Sequence, residues 1–413
     1  MSFQQGLSGL NASSKNLSVI GNNIANANTF GAKTSRAEFA DVYAASLGGA
    51  GTNNIGIGTN LVSVAQQFTQ GGITTTENPM DLAINGAGFF QMTDGINPPL
   101  YTRNGQFKVD RDGYIINNAQ MRLMGYQADD EGAIQTGQAV PLQLPTGLKD
   151  PRETDEIMLG MNLNSAQVGT PAIDFEDPKT YSSTSVIVYD TSGAQVELTL
   201  YFHKTDAVDA NGVSTGEWNI YTKADGAPFP GDPPASLGTI TFPPGDQAVV
   251  TQSFNLVDVP VSSGVPIALI ELNLDRVTQF ANPFAVTSLG QSGYAAGKLT
   301  SVNVESNGIA MARYSNGRSQ PVGQVQLATF RNPQGLQPTG DNMWASTFAS
   351  SEPVRGVPGD GNLGVLQSGA LEESNVDLTG ELVNMITAQR LYQANAQTIK
   401  TQDQVLQTLV NLR

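Results

Sequence analysis

The chain has 413 residues, 39% of them hydrophobic, with 21 Lys and Arg against 37 Asp and Glu and a formal net charge of -16. That length admits two or three domains with packed cores, and the negative balance argues against nucleic acid or an anionic membrane surface as partner. There is no Cys, which rules out disulfides, thiolate metal sites and a thiol nucleophile, and no apolar run is long enough for a membrane helix.

At the N-terminus, Phe3, Leu10, Leu17 and Ile24 stand seven apart and predict a helix over residues 1–28 with one apolar seam. Its flanks are unusual for a solvated coiled coil: Lys15 is the one charge, amid Asn11, Asn16, Asn22, Asn23, Asn26 and Asn28. Asn and Ser compete for backbone hydrogen bonds, so this helix depends on neighbours to hold it. The segment has no basic stretch followed by an apolar core and does not read as a secretory signal peptide. Residues 29–70 form a Gly-rich connector through Gly48-Gly49-Ala50-Gly51 and Gly56-Ile57-Gly58, expected as loop, with Val62, Val64 and Phe68 as a candidate strand beyond it.

The interior reads as β structure. Asn85-Gly86, Asp94-Gly95, Asn104-Gly105 and Asp112-Gly113 punctuate short apolar runs from Leu82 to Tyr126, and Asn307-Gly308 and Asn316-Gly317 repeat the pattern around Ile309–Tyr314. Residues 71–144 and 286–370 are therefore expected to build one inner β domain jointly. Residues 145–285 form a second, in which Val186–Tyr189 and Val196–Phe202 pair around Thr191-Ser192-Gly193 and many prolines interrupt longer elements. This domain holds 6 basic against 18 acidic residues, or -12 of the -16 total, which suits an outward-facing position. From 371 to 413 a second apolar seven-residue repeat, Leu371, Leu378, Met385, Tyr392, Ile399 and Leu406, predicts a C-terminal helix, with Ser374–Asp377 supplying its start as a capping box. Two seams at opposite ends suggest that the chain's beginning and end lie together. Periodicity alone fits equally a helical hairpin capping a globular domain and an assembly interface.

Catalytic patterns are weak. The single His, His203, follows an apolar strand run and reads as structural. Asp110-Arg111-Asp112-Gly113 departs from the EF-hand spacing and reads as a hairpin turn. The groups Asp129-Asp130-Glu131 and Glu153, Asp155, Glu156 lack aromatic neighbours for stacking on sugars and read as solvated loops. No phosphate-binding glycine loop and no G-x-S-x-G elbow occurs.

The stretch from Asn16 through Asn22-Asn23-Ile24-Ala25-Asn26 to Phe30-Gly31-Ala32-Lys33 resembles the N-terminal signature of the bacterial flagellar rod and hook (axial) protein family. Ser374-Asn375-Val376-Asp377-Leu378, Glu381–Ile386, Ala388-Gln389-Arg390 and Leu409–Arg413 resemble its C-terminal signature, and Asn85–Phe90, Val188–Gly193 and Leu198–Phe202 resemble segments of the hook protein's inner and outer domains. The resemblance implies a mixed, mainly β fold: two β-rich domains nested between N- and C-terminal helices that pair as a coiled coil. It implies a structural, non-enzymatic hook subunit that self-assembles into a curved helical tube, a universal joint in swimming motility. Partners implied are further copies of the chain in a helical homopolymer, flagellar rod and hook–filament junction proteins, the hook cap and the type III export apparatus, with no cofactor, no metal, no nucleic acid and no membrane insertion. Localisation would be the flagellar hook and basal body, outside the cell after type III export without a cleaved signal peptide. The assembly residues expected are Phe3, Leu10, Leu17, Ile24, Leu378, Met385, Tyr392, Ile399 and Leu406. The alternatives are a distal rod subunit, against which residues 145–285 argue, and a secreted β-rich carbohydrate-active enzyme.

Overall fold

The computed structural model describes residues 2–42, 56–129, 132–205, 216–229, 235–242, 252–261 and 266–411. The glycine run at 48–51, the carboxylates Asp130 and Glu131, and prolines 230, 233, 234, 243 and 244 lie outside these residues. The chain divides into two compact units: Met1–Thr146 with Thr300–Arg313 and Ser319–Arg413, and Gly147–Leu299 with Tyr314–Arg318.

The first unit is mainly β, with both terminal helices, α1 (Ser2–Ala25) and α2 (Leu378–Asn411), in contact with each other. At 34 residues, α2 is about 50 Å long. Between α1 and the sheets, β1 (Ser35–Val42) and β2 (Gly58–Gln66) form an antiparallel pair, from Ser35 opposite Gln66 to Val42 opposite Gly58, with an irregularity at Glu38/Phe39. The sequence suggested loop over the glycine-rich part of this region and a strand around Val62, Val64 and Phe68; β2 holds Val62 and Val64 but ends before Phe68, and β1 was not expected. Both strands are largely exposed and lack the in–out alternation that marks a half-buried strand, so their signal is faint. Gln5 donates to the Gly56 carbonyl at 2.6 Å, tying α1 to the start of β2.

The core of this unit lies under a mostly antiparallel sheet in which Phe89–Thr93 is flanked by Leu100–Thr102 and Arg122–Gln127. Leu82, Ile84, Phe90, Met92, Tyr101 and Leu123 are wholly buried in it. Phe68, Phe89, Tyr101, Phe330 and Trp344 pack edge to face with centroids 4.7–5.9 Å apart, the geometry aromatic quadrupoles favour. Asp112-Gly113 makes the hairpin turn read from the sequence: Gly113 has φ 86° and its amide donates to the Asp110 carbonyl.

The last strands reach far back along the chain. Val365–Ser368 pairs with Leu82–Asn85, and Ala370–Glu372 pairs with Ile73–Thr75. This corrects the reading of residues 371–377 as helix. Leu371 continues the seven-residue count by coincidence; it is a buried strand residue, and α2 begins at Leu378. The helix start also differs in detail: the Asp377 carboxylate accepts from the Thr379 amide at 3.0 Å, whereas the Ser374 hydroxyl accepts from Val376 two residues on.

The second unit has two sheets around one hydrophobic core. One orders Ser253–Val259, Ile267–Phe280, Glu156–Asn164 and Ala285–Gln291; the other contains Tyr181–Tyr189, Gln195–Lys204, Trp218–Ala224, Ala227–Phe229 and Gly238–Ile240. Buried and half-buried residues alternate strictly along Trp218–Ala224, as a sheet with one face on the core requires. Val188 stands opposite Val196 and Val186 opposite Leu198, as the turn at Thr191-Ser192-Gly193 predicts; Gly193 has φ 82°, and the Asp190 carboxylate accepts from the amides of Ser192 and Ala194. Ala285–Gln291 pairs with Glu156–Asn164 here, so the chain leaves this unit near Leu299 and not at 285.

Candidate assembly interface

The seams at the chain ends do meet, but not as the apolar count alone suggests. On α1 the stripe turned most fully inward is Gly6, Ser13 and Ile20, also seven apart and offset by three from Phe3, Leu10 and Leu17. Small residues let the helix axes approach. A Cβ on Gly6 would lie 3.1 Å from Ile399 Cγ1, and one on Gly9 would lie 2.9 Å from the Asn395 side-chain amide. The Ser13 hydroxyl is satisfied within the helix by donating to the Gly9 carbonyl at 2.8 Å. On α2 the sheltered stripe is Met385, Ala388, Asn395, Ile399 and Gln402.

Of the nine residues expected to carry assembly, Met385 and Ile399 belong to this sheltered stripe and the other seven lie outside the two stripes. Leu10, Leu17, Ile24, Met385 and Ile399 are half-buried, whereas Phe3, Leu378, Tyr392 and Leu406 are exposed at 45%, 45%, 38% and 51%. Sequence reasoning missed their neighbours: Leu7 on α1 and Leu382, Val383, Ile386, Leu391 and Val405 on α2 are exposed as well. The i, i+4 spacing of Leu378, Leu382 and Ile386 makes a continuous apolar ridge that this chain leaves in water.

Below the helix pair, the two terminal signatures lock together. Lys33 Nζ is 2.6 Å and Arg103 Nη1 3.0 Å from opposite oxygens of Glu372, with all three side chains at most 5% exposed. Lys33 also donates to the Thr69 carbonyl, Arg103 to the Gly86 carbonyl, and the Gly71 amide to Glu372. Burial pushes both cations below their ordinary pKa, against the opposing pull of the Glu372 charge. Asn375 works beside this pair: its oxygen accepts from the Thr34 amide and hydroxyl, and its nitrogen donates to the Gln67 carbonyl. Asn23 mimics a strand partner for Ser35, accepting from its amide and donating to its carbonyl at 2.9 and 2.8 Å, and also donates to Glu381 at the start of α2. Gly31 has φ 71°, and a Cβ there would stand 2.5 Å from the Asn104 amide nitrogen, so the turn after α1 requires glycine. Of the N-terminal asparagines, Asn23 thus serves the junction, while Asn26 donates back to the Asn22 carbonyl within its own segment.

The candidate catalytic residues do not converge. His203 is buried in its strand with Nε2 2.8 Å from the Thr170 hydroxyl, and among the described residues no group of three His, Asp or Glu side chains is placed to hold a metal. Asp155 is held below the usual carboxylate range by hydrogen bonding from Ser292 and by Arg152, a turn-stabilising role. No described helix is long and apolar enough to cross a membrane.

Four family patterns match the chain in order: flagella basal body rod protein over residues 3–33, flagellar hook protein FlgE/F/G D1 domain over 83–170, flagellar basal body protein FlaE D2 domain over 162–294, and flagellar basal body rod FlgEFG protein C-terminal over 367–412. The chain is 39% identical to flagellar hook protein FlgE of Salmonella typhimurium and 38% to that of Escherichia coli, in each case over 100% of both chains. It is 33% identical to FlgE of Borreliella burgdorferi over 100% of this chain and 99% of that one. The crystal structure of Helicobacter pylori flagellar hook protein FlgE2 shares the fold, at TM-score 0.55 and 14% identity over 71% of this chain and 99% of that one. End-to-end coverage by hook proteins, middle domain included, leaves neither the distal rod subunit nor the carbohydrate-active enzyme as a reading. The chain therefore belongs to the flagellar hook protein FlgE family, a structural subunit of the flagellar hook and basal body and not an enzyme.

Proposed function

We propose that the chain assembles with further copies of itself into a curved helical tube, and that the apolar flanks of α1 and α2 are the surfaces through which it does so. The observation that supports this is the ridge of large apolar side chains left exposed on α2, a helix that already has a partner in α1. A row of leucines and isoleucines kept in water is unfavourable by roughly 25 cal/mol per Å² of apolar surface, a term that neighbouring copies recover by covering it. Phe3, Leu10, Leu17, Ile24, Leu378, Met385, Tyr392, Ile399 and Leu406 line or border that surface.

In this reading the terminal helices form the inner layer of the tube, the β part of the first unit, residues 71–146 with 300–313 and 319–370, a middle layer, and the acidic second unit the outside. A curved tube turning about its own axis lengthens and shortens along each side every revolution. Loose polar contacts between outer domains, with the helices keeping the inner layer continuous, would let it act as a universal joint. The tube ends would join rod and hook–filament junction proteins, growth would occur beneath a hook cap, and the subunit would leave the cell through the type III export apparatus.

The test is polymerisation of Leu382→Asp and Leu406→Asp in high salt, followed by electron microscopy. Both side chains are exposed in the single chain. Folding should therefore be retained while a carboxylate placed in every helix contact abolishes tubes. Ordinary tubes from both variants would remove the helices from the assembly surface.

A further inference from the structure

We propose that Ile96 and Phe348, at one end of the sheet in the first unit, form a second contact with a neighbouring copy of this chain, separate from the terminal helices. Phe348 is 104% and Ile96 90% exposed, so Phe348 rests on nothing in its own chain and Ile96 on almost nothing. Register puts both at one end of the sheet: Met92 stands opposite Leu100 and Leu100 opposite Ala345, so the 94–99 connection and the chain leaving Ala345 come off that same end.

Single exposed apolar residues are ordinary on protein surfaces; what sets these two apart is that hydrogen bonds hold the backbone carrying each. Ile96 sits in a turn closed by Asp94, whose carboxylate accepts from the amides of Ile96 and Asn97 at 2.9 and 2.8 Å and from the Asn97 side chain at 2.6 Å. Phe348 opens a short turn capped reciprocally by Thr347 and Ser350. The Thr347 hydroxyl donates to the Gly335 carbonyl at 2.6 Å, and Asn332 donates to the Ala349 carbonyl at 2.9 Å. A Cβ on Gly335 would lie 2.4 Å from the Ser350 amide nitrogen, so the 333–335 turn is pressed against the backbone that carries Phe348. Ser351, immediately after, is held at φ 64°, a conformation a non-glycine residue adopts only when its surroundings impose it. Two apolar side chains standing in water on backbone that is already held in place are available for burial by a partner, with little backbone freedom to be lost on contact.

The partner is a second copy, the neighbour that the homopolymer proposed for this hook-family chain supplies. This inference rests on the homopolymer reading above, and its test separates the two. The chain contains no Cys, so Phe348→Cys and Ile96→Cys each give one addressable thiol. Labelling of both by a maleimide should be rapid in monomer and fall at least about tenfold in sedimented tubes. The double variant Ile96→Ser/Phe348→Ser should unfold like wild type yet need a roughly tenfold or higher concentration to polymerise. Equal labelling in monomer and tubes, with an unchanged critical concentration, would overturn the contact while leaving the helix-mediated polymer standing. Protection seen only in intact flagella and not in tubes of the pure protein would assign the tip to another flagellar component and overturn the second-copy partner. Failure of wild type itself to form tubes would overturn both readings.

Discussion

Lys33 and Glu372, 339 positions apart in the sequence, form a 2.6 Å ion pair in which neither side chain is exposed to solvent. With Arg103 on the other carboxylate oxygen, one anion serves two buried cations. Glu372→Gln would strand both. The expected cost is about 3–5 kcal/mol in the first unit alone. The two tryptophans make this measurable, because Trp344 lies in the core of the first unit and Trp218 in that of the second. In a Trp218→Phe background the fluorescence transition should shift to lower temperature on adding Glu372→Gln. In a Trp344→Phe background it should not move. Equal shifts in both would show that the pair does not act locally.

Asp94 is drawn from its ordinary 3.8 down to about 2 by hydrogen bonds from the Asn97 and Ile96 amides and the Asn97 side chain. A carboxylate whose pKa is depressed on folding stabilises its turn above the unfolded value and loses that contribution as pH falls through the folded one. The Ile96 and Asn97 amide resonances should therefore titrate with a midpoint near 2, with the turn intact at pH 4. A midpoint near 4 would mean these hydrogen bonds are not kept in solution.

Gly9 and Gly21 lie on the same helix and predict opposite outcomes. A side chain at Gly9 meets Asn395, whereas nothing lies within 4 Å of a Cβ at Gly21. Gly9→Leu should push α1 from α2 and speed amide exchange around residues 395–402. Gly21→Ala should leave that exchange unchanged and stabilise α1 by about 0.5–1 kcal/mol. Slow exchange at 395–402 in Gly9→Leu would deny the close approach.

The second unit is nearly continuous in sequence and has its own core. A fragment of residues 147–299 should unfold cooperatively, with Trp218 emission shifting to the red as it is exposed. The complementary chain, joining Thr146 to Thr300 through a short Gly-Ser linker, should still form tubes, thinner than wild type. A gradual, non-cooperative transition in the fragment would contradict independent folding.

Much of this architecture was legible in the sequence, because it rests on short-range rules. The presence of α2, though not its start, the turn at Asp112-Gly113 and the pairing of Val186–Tyr189 with Val196–Phe202 follow from spacing and turn chemistry. The ion-paired hub was not legible, since Lys33, Arg103 and Glu372 are remote in sequence and no local pattern joins them. The contact face of α1 was hidden for another reason: close packing selected Gly6, Gly9 and Ser13, residues an apolar count ignores. The β1–β2 pair gave little signal because exposed strands need not alternate.

The hub also fixes an order of events. A chain made from its N-terminus presents Lys33 and Arg103 long before Glu372, which lies near the far end. Until that residue arrives, closing the first unit would bury two cations without their anion, and the edges that receive Val365–Ser368 and Ala370–Glu372 stand open. The second unit has no such debt to the C-terminus and can close as soon as its own strands are made. A truncated subunit is thereby denied the completed first unit, because the strands and the anion that close it come last.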